Sequence, residues 1–92
     1  MIVSFKCMHT RSLFFHGNTR LWPSIKSVAE RKLAMLDAAT STLDLRSQPG
    51  NRLEALDGSR SGQYSIHINA QFRICFVWGT NGPEDVEIID YH

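Results

Sequence analysis

The chain has 92 residues, of which 42% are hydrophobic and 21% are charged, proportions typical of a single globular domain spanning residues 1–92. No apolar run approaches the roughly 20 residues that cross a bilayer, and the N-terminus lacks the features of a signal peptide. We therefore expect a cytoplasmic protein without membrane contact. Two cysteines that form no CxxC pair exclude a disulfide framework and predict free thiols.

The charges are distributed unevenly along the chain. Residues 1–36 contain six basic residues and one acidic residue, a net charge of +5, whereas residues 37–92 contain four basic and eight acidic residues, a net charge of −4. This asymmetry is compatible with a basic face that meets phosphates and equally with ordinary solvated helices.

The first half of the chain predicts one strand and two helices. Residues 2–6 alternate apolar and polar side chains as a short strand does. A short helix over residues 7–16 is expected to end at Gly17, because glycine accepts the left-handed conformation at a helix end. Apolar residues recur every three or four positions in the segment 23–40, which predicts an amphipathic helix, and a loop follows over residues 40–51.

The second half predicts four strands separated by turns. Period-two alternation marks strands over residues 52–56, 64–68, 72–78 and 85–91. The resulting order β-α-α-β-β-β-β predicts an α+β domain in which two N-terminal helices pack on a largely antiparallel twisted sheet.

Common cofactor signatures are missing from the sequence. It has no P-loop, no GxGxxG and no HExxH motif, and its four histidines lack the compact spacing of metal ligands. We therefore predict no metal site and no cofactor.

Arg73 is unusual because it lies in the middle of an apolar strand, between Phe72 and Ile74. Arginine is rarely placed in a sheet without a partner. One interpretation is a structural ion pair with Glu54, Glu87 or Asp90; another is a guanidinium that holds a phosphate through two hydrogen bonds. The two interpretations are compatible, since an acid can hold the guanidinium in position.

The sequence ends in Asp90-Tyr91-His92, directly after an apolar strand that would hold these residues in place. Histidine gives or takes a proton near neutral pH, which makes His92 a candidate for acid–base chemistry. The alternative is an ordinary polar residue at a chain end.

Several of these segments together resemble the HigB toxin family. They are RLEALDG over residues 52–58, GQYSI over 62–66, QFRICF over 71–76, and the closing DYH over 90–92. The resemblance extends over nearly the whole chain, and Glu54 within the first segment is similar to the GraT-like branch of the family.

The resemblance implies a RelE-like microdomain that enters the ribosomal A site and cleaves mRNA there without a metal. It implies a HigA-type helix-turn-helix antitoxin as partner, and operator DNA bound only through the toxin–antitoxin complex. By analogy, Arg73 would hold the scissile phosphate, while His92, Tyr91 and Asp90 would form the rest of the catalytic site.

The chain also departs from the family pattern. Glu54 stands where many members have histidine, Asp57 where they have lysine, and Asn69 at another basic position of the family's site. Glu54 could then act as the general base and His92 as the general acid, or the two roles could be exchanged.

Further residues are predicted to contact RNA. Tyr91 could stack on a base or pack against the core. The basic helices would dock on ribosomal RNA, and the residues predicted to bind RNA are Arg60, Asn69, Lys26, Arg31 and Lys32.

Two other functions fit the same fold. The protein could inhibit translation or ribosome assembly by binding without cleavage, or it could be a co-repressor whose only role is to bind its antitoxin. Cleavage would be distinguished by a new 5′-hydroxyl end on mRNA.

Overall fold

The protein was analysed as a computed structural model that describes residues 1–90. Three helices precede a four-stranded sheet: α1 (Met8–His16), α2 (Lys26–Ala38), α3 (Thr42–Arg46), β1 (Glu54–Ala55), β2 (Gln63–His67), β3 (Phe72–Gly79) and β4 (Gly82–Asp90). The predicted α+β class is confirmed, with helices first and an antiparallel sheet after them.

The four strands lie in the order β1-β2-β3-β4, and each pairs antiparallel with the next. Thr80 and Asn81 join β3 to β4 in a tight hairpin in which Gly79 pairs with Gly82. Glycine and proline at 82–83, expected in a turn, therefore belong to β4. A bulge at Asp85, which has a φ of 53°, shifts the register between the Cys75–Glu87 pair and the Val77–Glu84 pair.

Both predicted helices are present, with slightly shorter bounds. As predicted, α1 ends at Gly17, which has a φ of 61° and donates its N–H to the carbonyl of Leu13. The apolar stripe of α2 buries Ala29, Leu33 and Leu36 against the sheet.

Two local predictions were wrong. Residues 2–6, here called the N-terminal segment, make one parallel bridge, Phe5 to Val86, in place of a full strand. The predicted loop over 40–51 contains the short helix α3, whose Leu45 is fully buried. The rest of this segment is mostly polar, so its composition indicated a loop although one leucine is buried in the core.

The hydrophobic core lies between the helices and one face of the sheet. Its members from the sheet are Ile66, Ile74, Phe76, Val86 and Ile88, which pack with Leu13, Leu33 and Leu36 from the helices. The other face of the sheet therefore presents the intervening residues of each strand.

Among the helices of residues 1–90, none is long and apolar enough to span a membrane.

Candidate functional site

The sheet face opposite the helices is lined by polar residues, and we call it the polar face. Its rows are set by the strand register, in which Ser65 pairs with both Glu54 and Cys75, Cys75 pairs with Glu87, and His67 pairs with Arg73. The polar face thus consists of Glu54, Ser65, His67, Arg73, Cys75 and Glu87.

Arg73 is the buried charged group on this face. Its residue is only 9% exposed, one guanidinium nitrogen donates to Ser65 Oγ at 2.8 Å, and another donates to Glu54 Oε1 at 3.0 Å. Two neighbouring strands therefore hold the planar guanidinium in one orientation. The ion pair adds little stability by itself, because the Glu54 side chain is 50% exposed. Of the three acids considered as partners from the sequence, Glu54 is the one seen to bind it.

A second cationic group lies on the same face. Arg60, from a 3₁₀ turn over Gly58–Arg60, donates to Gln63 Oε1 at 3.1 Å and to Glu87 Oε2 at 3.3 Å. Lys6 of the N-terminal segment lies 3.6 Å from the same Glu87 oxygen. Two positive groups thus share one carboxylate, and this part of the polar face keeps a net positive charge.

Cys75 lies between these groups and is fully buried. Burial raises the pKa of the Cys75 thiol, and Glu87 raises it further, although Arg60, Arg73 and Lys6 act in the opposite direction. The thiol is therefore protonated at neutral pH and packs as a small apolar group.

His67 lies directly across from Arg73 on β2. Burial lowers the pKa of His67, and the positive charges of Arg52, Arg73 and Lys32 lower it further. The imidazole is therefore neutral at neutral pH. Sequence reasoning missed this residue, although a hairpin centred on residue 70 would have placed positions 67 and 73 opposite each other.

Arg52 was also missed. It is exposed and has a φ of 47°, which is uncommon for a residue with a side chain. The position lies shortly before β1, and its positive charge acts on His67. Nothing in the local sequence signals this conformation.

An open depression adjoins the Glu54–Arg73 pair. It has a volume of about 260 Å³ and is lined by Glu54, Ala55, Leu56, Asp57 and Arg60. Glu54 and Arg60 border this depression, so a ligand in it could contact both.

Other predicted site residues lie at the ends of the strands. Asp90 pairs with Phe72, next to the pair that Arg73 makes with Ile89, and its carboxylate accepts a hydrogen bond from Gln71 at 3.1 Å. Asn69 stabilises the β2–β3 turn, since its Oδ1 accepts from the backbone N–H groups of Gln71 and Phe72. The predicted catalytic residues Tyr91 and His92 lie outside the described residues.

The basic residues of α2 do not share one surface. Lys26 and Arg31 are exposed, and Lys26 pairs with Glu30 at 2.7 Å. The structure corrects the expectation of a surface role for Lys32, which is 6% exposed and donates to Asn51 Oδ1 at 2.6 Å. Burial lowers the pKa of Lys32, and the like charge of Arg31 lowers it further.

Within residues 1–90, no three histidine, cysteine, aspartate or glutamate side chains converge on a point where a metal ion could bind.

A small antiparallel sheet with helices on one face and an immobilised arginine on the other is the architecture of a RelE-like domain. The model of a family described as "RelE-like toxin of type II toxin-antitoxin system HigB" matches residues 3–92. The chain therefore belongs to the HigB-like family of toxins from type II toxin–antitoxin systems.

Two relatives illustrate the range of similarity. Toxin HigB-1 of Vibrio cholerae serotype O1 (strain ATCC 39315 / El Tor Inaba N16961) is 50% identical over 60 residues, which are 64% of this chain and 63% of the Vibrio protein. An uncharacterized protein of Haemophilus influenzae (strain ATCC 51907 / DSM 11121 / KW20 / Rd) is 35% identical over 68 residues, 72% of this chain and 67% of that protein.

Proposed function

We propose that this toxin is a ribosome-dependent endoribonuclease that cleaves mRNA and thereby inhibits translation in the cytoplasm. The observation that carries the proposal is Arg73, held by Ser65 and Glu54 on the polar face. A buried, oriented guanidinium needs no rearrangement when it binds an anion, so it suits a phosphate on which negative charge increases during the reaction.

The reaction follows from the chemistry of RNA. The 2′-oxygen attacks the adjacent phosphorus, the bond from phosphorus to the 5′-oxygen breaks, and the products carry a 2′,3′-cyclic phosphate and a 5′-hydroxyl. Arg73 would stabilise the phosphate oxygens as the pentacoordinate state forms, with no cofactor required by this scheme. Arg60, whose guanidinium projects over the same face, would contact a neighbouring phosphate.

The remaining roles in the reaction would fall to Glu54, His92 and Tyr91. Glu54 would orient Arg73, since its Oε1 already accepts a hydrogen bond from the guanidinium. His92 would protonate the leaving 5′-oxygen and Tyr91 would stack on a base. The depression beside Glu54 would receive one of the nucleotides next to the cleaved bond.

Binding to the ribosome would use the basic first part of the chain. Lys26 and Arg31 are exposed on α2 and would meet ribosomal RNA by charge. A HigA-type helix-turn-helix antitoxin would neutralise the toxin, and operator DNA would be bound through that complex. These partners are proposed from the family's toxin–antitoxin class.

Primer extension on an mRNA undergoing translation in vitro tests the proposal. With the wild-type protein we expect cuts within A-site codons that need ribosomes, and with Arg73→Ala we expect cleavage to fall by about 10²–10³-fold. Arg46→Ala is the matched control, because Arg46 is an exposed arginine on α3.

Circular dichroism of each variant establishes that the fold is retained, and Arg73→Gln provides a second variant that keeps a polar side chain at this position. Arrested translation with intact mRNA would refute the nuclease and leave a toxin that acts by binding. Cleavage that survives both Arg73 substitutions would refute the role of this residue.

A further inference from the structure

His67 and Arg73 form one cross-strand pair on the polar face. They are directly opposite in the β2–β3 register, and side chains of such a pair stand about 5 Å apart at their Cβ atoms. A phosphate held by the Arg73 guanidinium would therefore lie within reach of the imidazole. The backbone N–H of His67 also donates to the carbonyl of Asn51 at 2.6 Å, which fixes the position of β2 at this point.

The charges around His67 determine its protonation state. Arg52 precedes β1, Arg73 lies on β3 and Lys32 on α2, and all three positive charges act on the imidazole together with its partial burial. The Glu54 carboxylate on the same face is hydrogen-bonded to Arg73. The pKa of His67 is consequently lowered, and a neutral imidazole is able to accept a proton at physiological pH.

We propose that His67 is the general base of the cleavage reaction, which accepts the proton of the attacking 2′-hydroxyl. The inference rests on the proposed nuclease function and assigns a catalytic role to a residue that the sequence did not indicate.

The proposed step moves one proton to His67 and one to the leaving oxygen. One nitrogen of the neutral imidazole takes the 2′-hydroxyl proton while the 2′-oxygen forms its bond to phosphorus. The 5′-oxygen leaves with the electron pair of the broken bond and takes up a proton from His92 or from water. The imidazolium of His67 then returns its proton to solvent, and the donor of the other proton regains one from solvent, so the enzyme is restored.

His67 fits this role better than Glu54 does. The Glu54 carboxylate is engaged by the guanidinium at 3.0 Å, and imidazole is intrinsically a stronger base than a carboxylate. The surrounding cations also favour loss of the proton once it has been accepted, so the base is regenerated at neutral pH.

The test is the pH dependence of single-turnover cleavage on programmed ribosomes. For the wild-type protein we expect the rate to rise with pH through the lowered pKa of His67. His67→Gln should lower the neutral-pH rate by about 10²-fold or more and remove this rise. His9→Gln, at an exposed histidine of α1, is the matched control.

Two further measurements distinguish a general base from a structural residue and from a general acid. Added imidazole should restore part of the rate of His67→Ala, which a merely structural role would not allow. A substrate with sulfur in place of the 5′-oxygen needs no acid for departure, so it should not rescue His67→Gln.

An unchanged rate and pH profile in His67→Gln, beside an inactive Arg73→Ala, would overturn the inference alone. Rescue of His67→Gln by the sulfur substrate would also overturn it, since it would identify an acid. A wild-type protein that does not cleave would overturn the proposed function and the inference with it.

Discussion

Asn51 is a buried amide that connects three elements behind the polar face. Its Oδ1 accepts from Lys32 Nζ at 2.6 Å, its Nδ2 donates to the carbonyl of Leu45 at 3.0 Å, and its own carbonyl accepts from the backbone N–H of His67 at 2.6 Å. The Asn51 side chain thus provides partners for α2 and α3, and its main-chain carbonyl provides one for β2. Buried ammonium and carbonyl groups are costly to leave without a partner, so this residue stabilises the fold more than its size suggests.

Replacing Asn51 by alanine is therefore expected to lower the free energy of unfolding by about 2–3 kcal/mol. The loss arises because Lys32 and the Leu45 carbonyl lose a buried partner. Urea denaturation followed by circular dichroism measures the change. Asn81→Ala, in the exposed β3–β4 turn, should stay within about 0.5 kcal/mol of wild type, and equal midpoints for the two variants would contradict the prediction.

At the scale of elements, the N-terminal segment closes the outer edge of the sheet. Val3 N–H donates to the carbonyl of Pro83 at 2.7 Å, Lys6 N–H donates to Val86 at 3.0 Å, and Val86 N–H donates to Ser4 at 3.1 Å. The segment therefore covers β4, which would otherwise be a free edge strand.

Gly82 allows this contact. Its φ is +131°, and a Cβ added to it would overlap the carbonyl oxygen of Met1. Gly50 has a φ of +86° but faces open space. An alanine at position 50 would therefore show the cost of the positive φ without any steric overlap.

We expect Gly50→Ala to cost about 1 kcal/mol of stability, from the positive φ alone. Gly82→Ala should cost at least about 2 kcal/mol, because the overlap with Met1 adds to the backbone strain. Thermal unfolding of both variants gives the difference, and amide exchange of Val3 and Lys6 shows whether the N-terminal segment is released. Similar losses at the two positions would refute the steric argument.

Prediction from the sequence succeeded where one physical signal dominated. The apolar stripe of α2, the glycine that ends α1 and the alternation in β2 and β3 each depend on local periodicity. The N-terminal segment could not be placed in this way, since its partner β4 lies far along the chain and a bulge at Asp85 limits their pairing to one bridge.

Only the part of the candidate site that gives a local signal in the sequence was predicted. Arg73 stands out because it interrupts an apolar run, and its ion pair with Glu54 was among the expected pairs. His67 carries no such signal, because its importance depends on register and on three cations from separate elements. Burial of Lys32 was missed because a long basic side chain on a helix is normally solvated.

At the scale of the whole molecule, the basic helices α1 and α2 lie on the side of the sheet opposite the polar face. The excess of positive charge is in residues 1–36, which include α1 and most of α2, and both helices pack on the face opposite Arg73. Docking and cleavage would therefore use separate surfaces, so it should be possible to weaken the first without altering the second.

Arg31→Glu tests this separation. Arg31 is exposed, and the ion pair on this helix is made by Lys26 with Glu30, so the substitution leaves that pair in place. We expect ribosome co-sedimentation at low salt to weaken several-fold relative to Arg46→Glu, a matched reversal on α3. The difference should shrink at high salt, because screening shortens the range of exposed charges. Equal co-sedimentation of the two variants would exclude α2 as a docking surface.

The contact between the N-terminal segment and β4 also determines when the protein can fold during its own synthesis. Ser4 and Asp85 are joined by a hydrogen bond although 81 positions separate them, and β3 pairs along its length with β4. The N-terminal segment must wait until β4 has been translated before this edge of the sheet is complete, since such distant contacts close only when both partners exist. A growing chain that has not reached β4 therefore lacks the completed sheet in which Arg73 is held between its neighbouring strands.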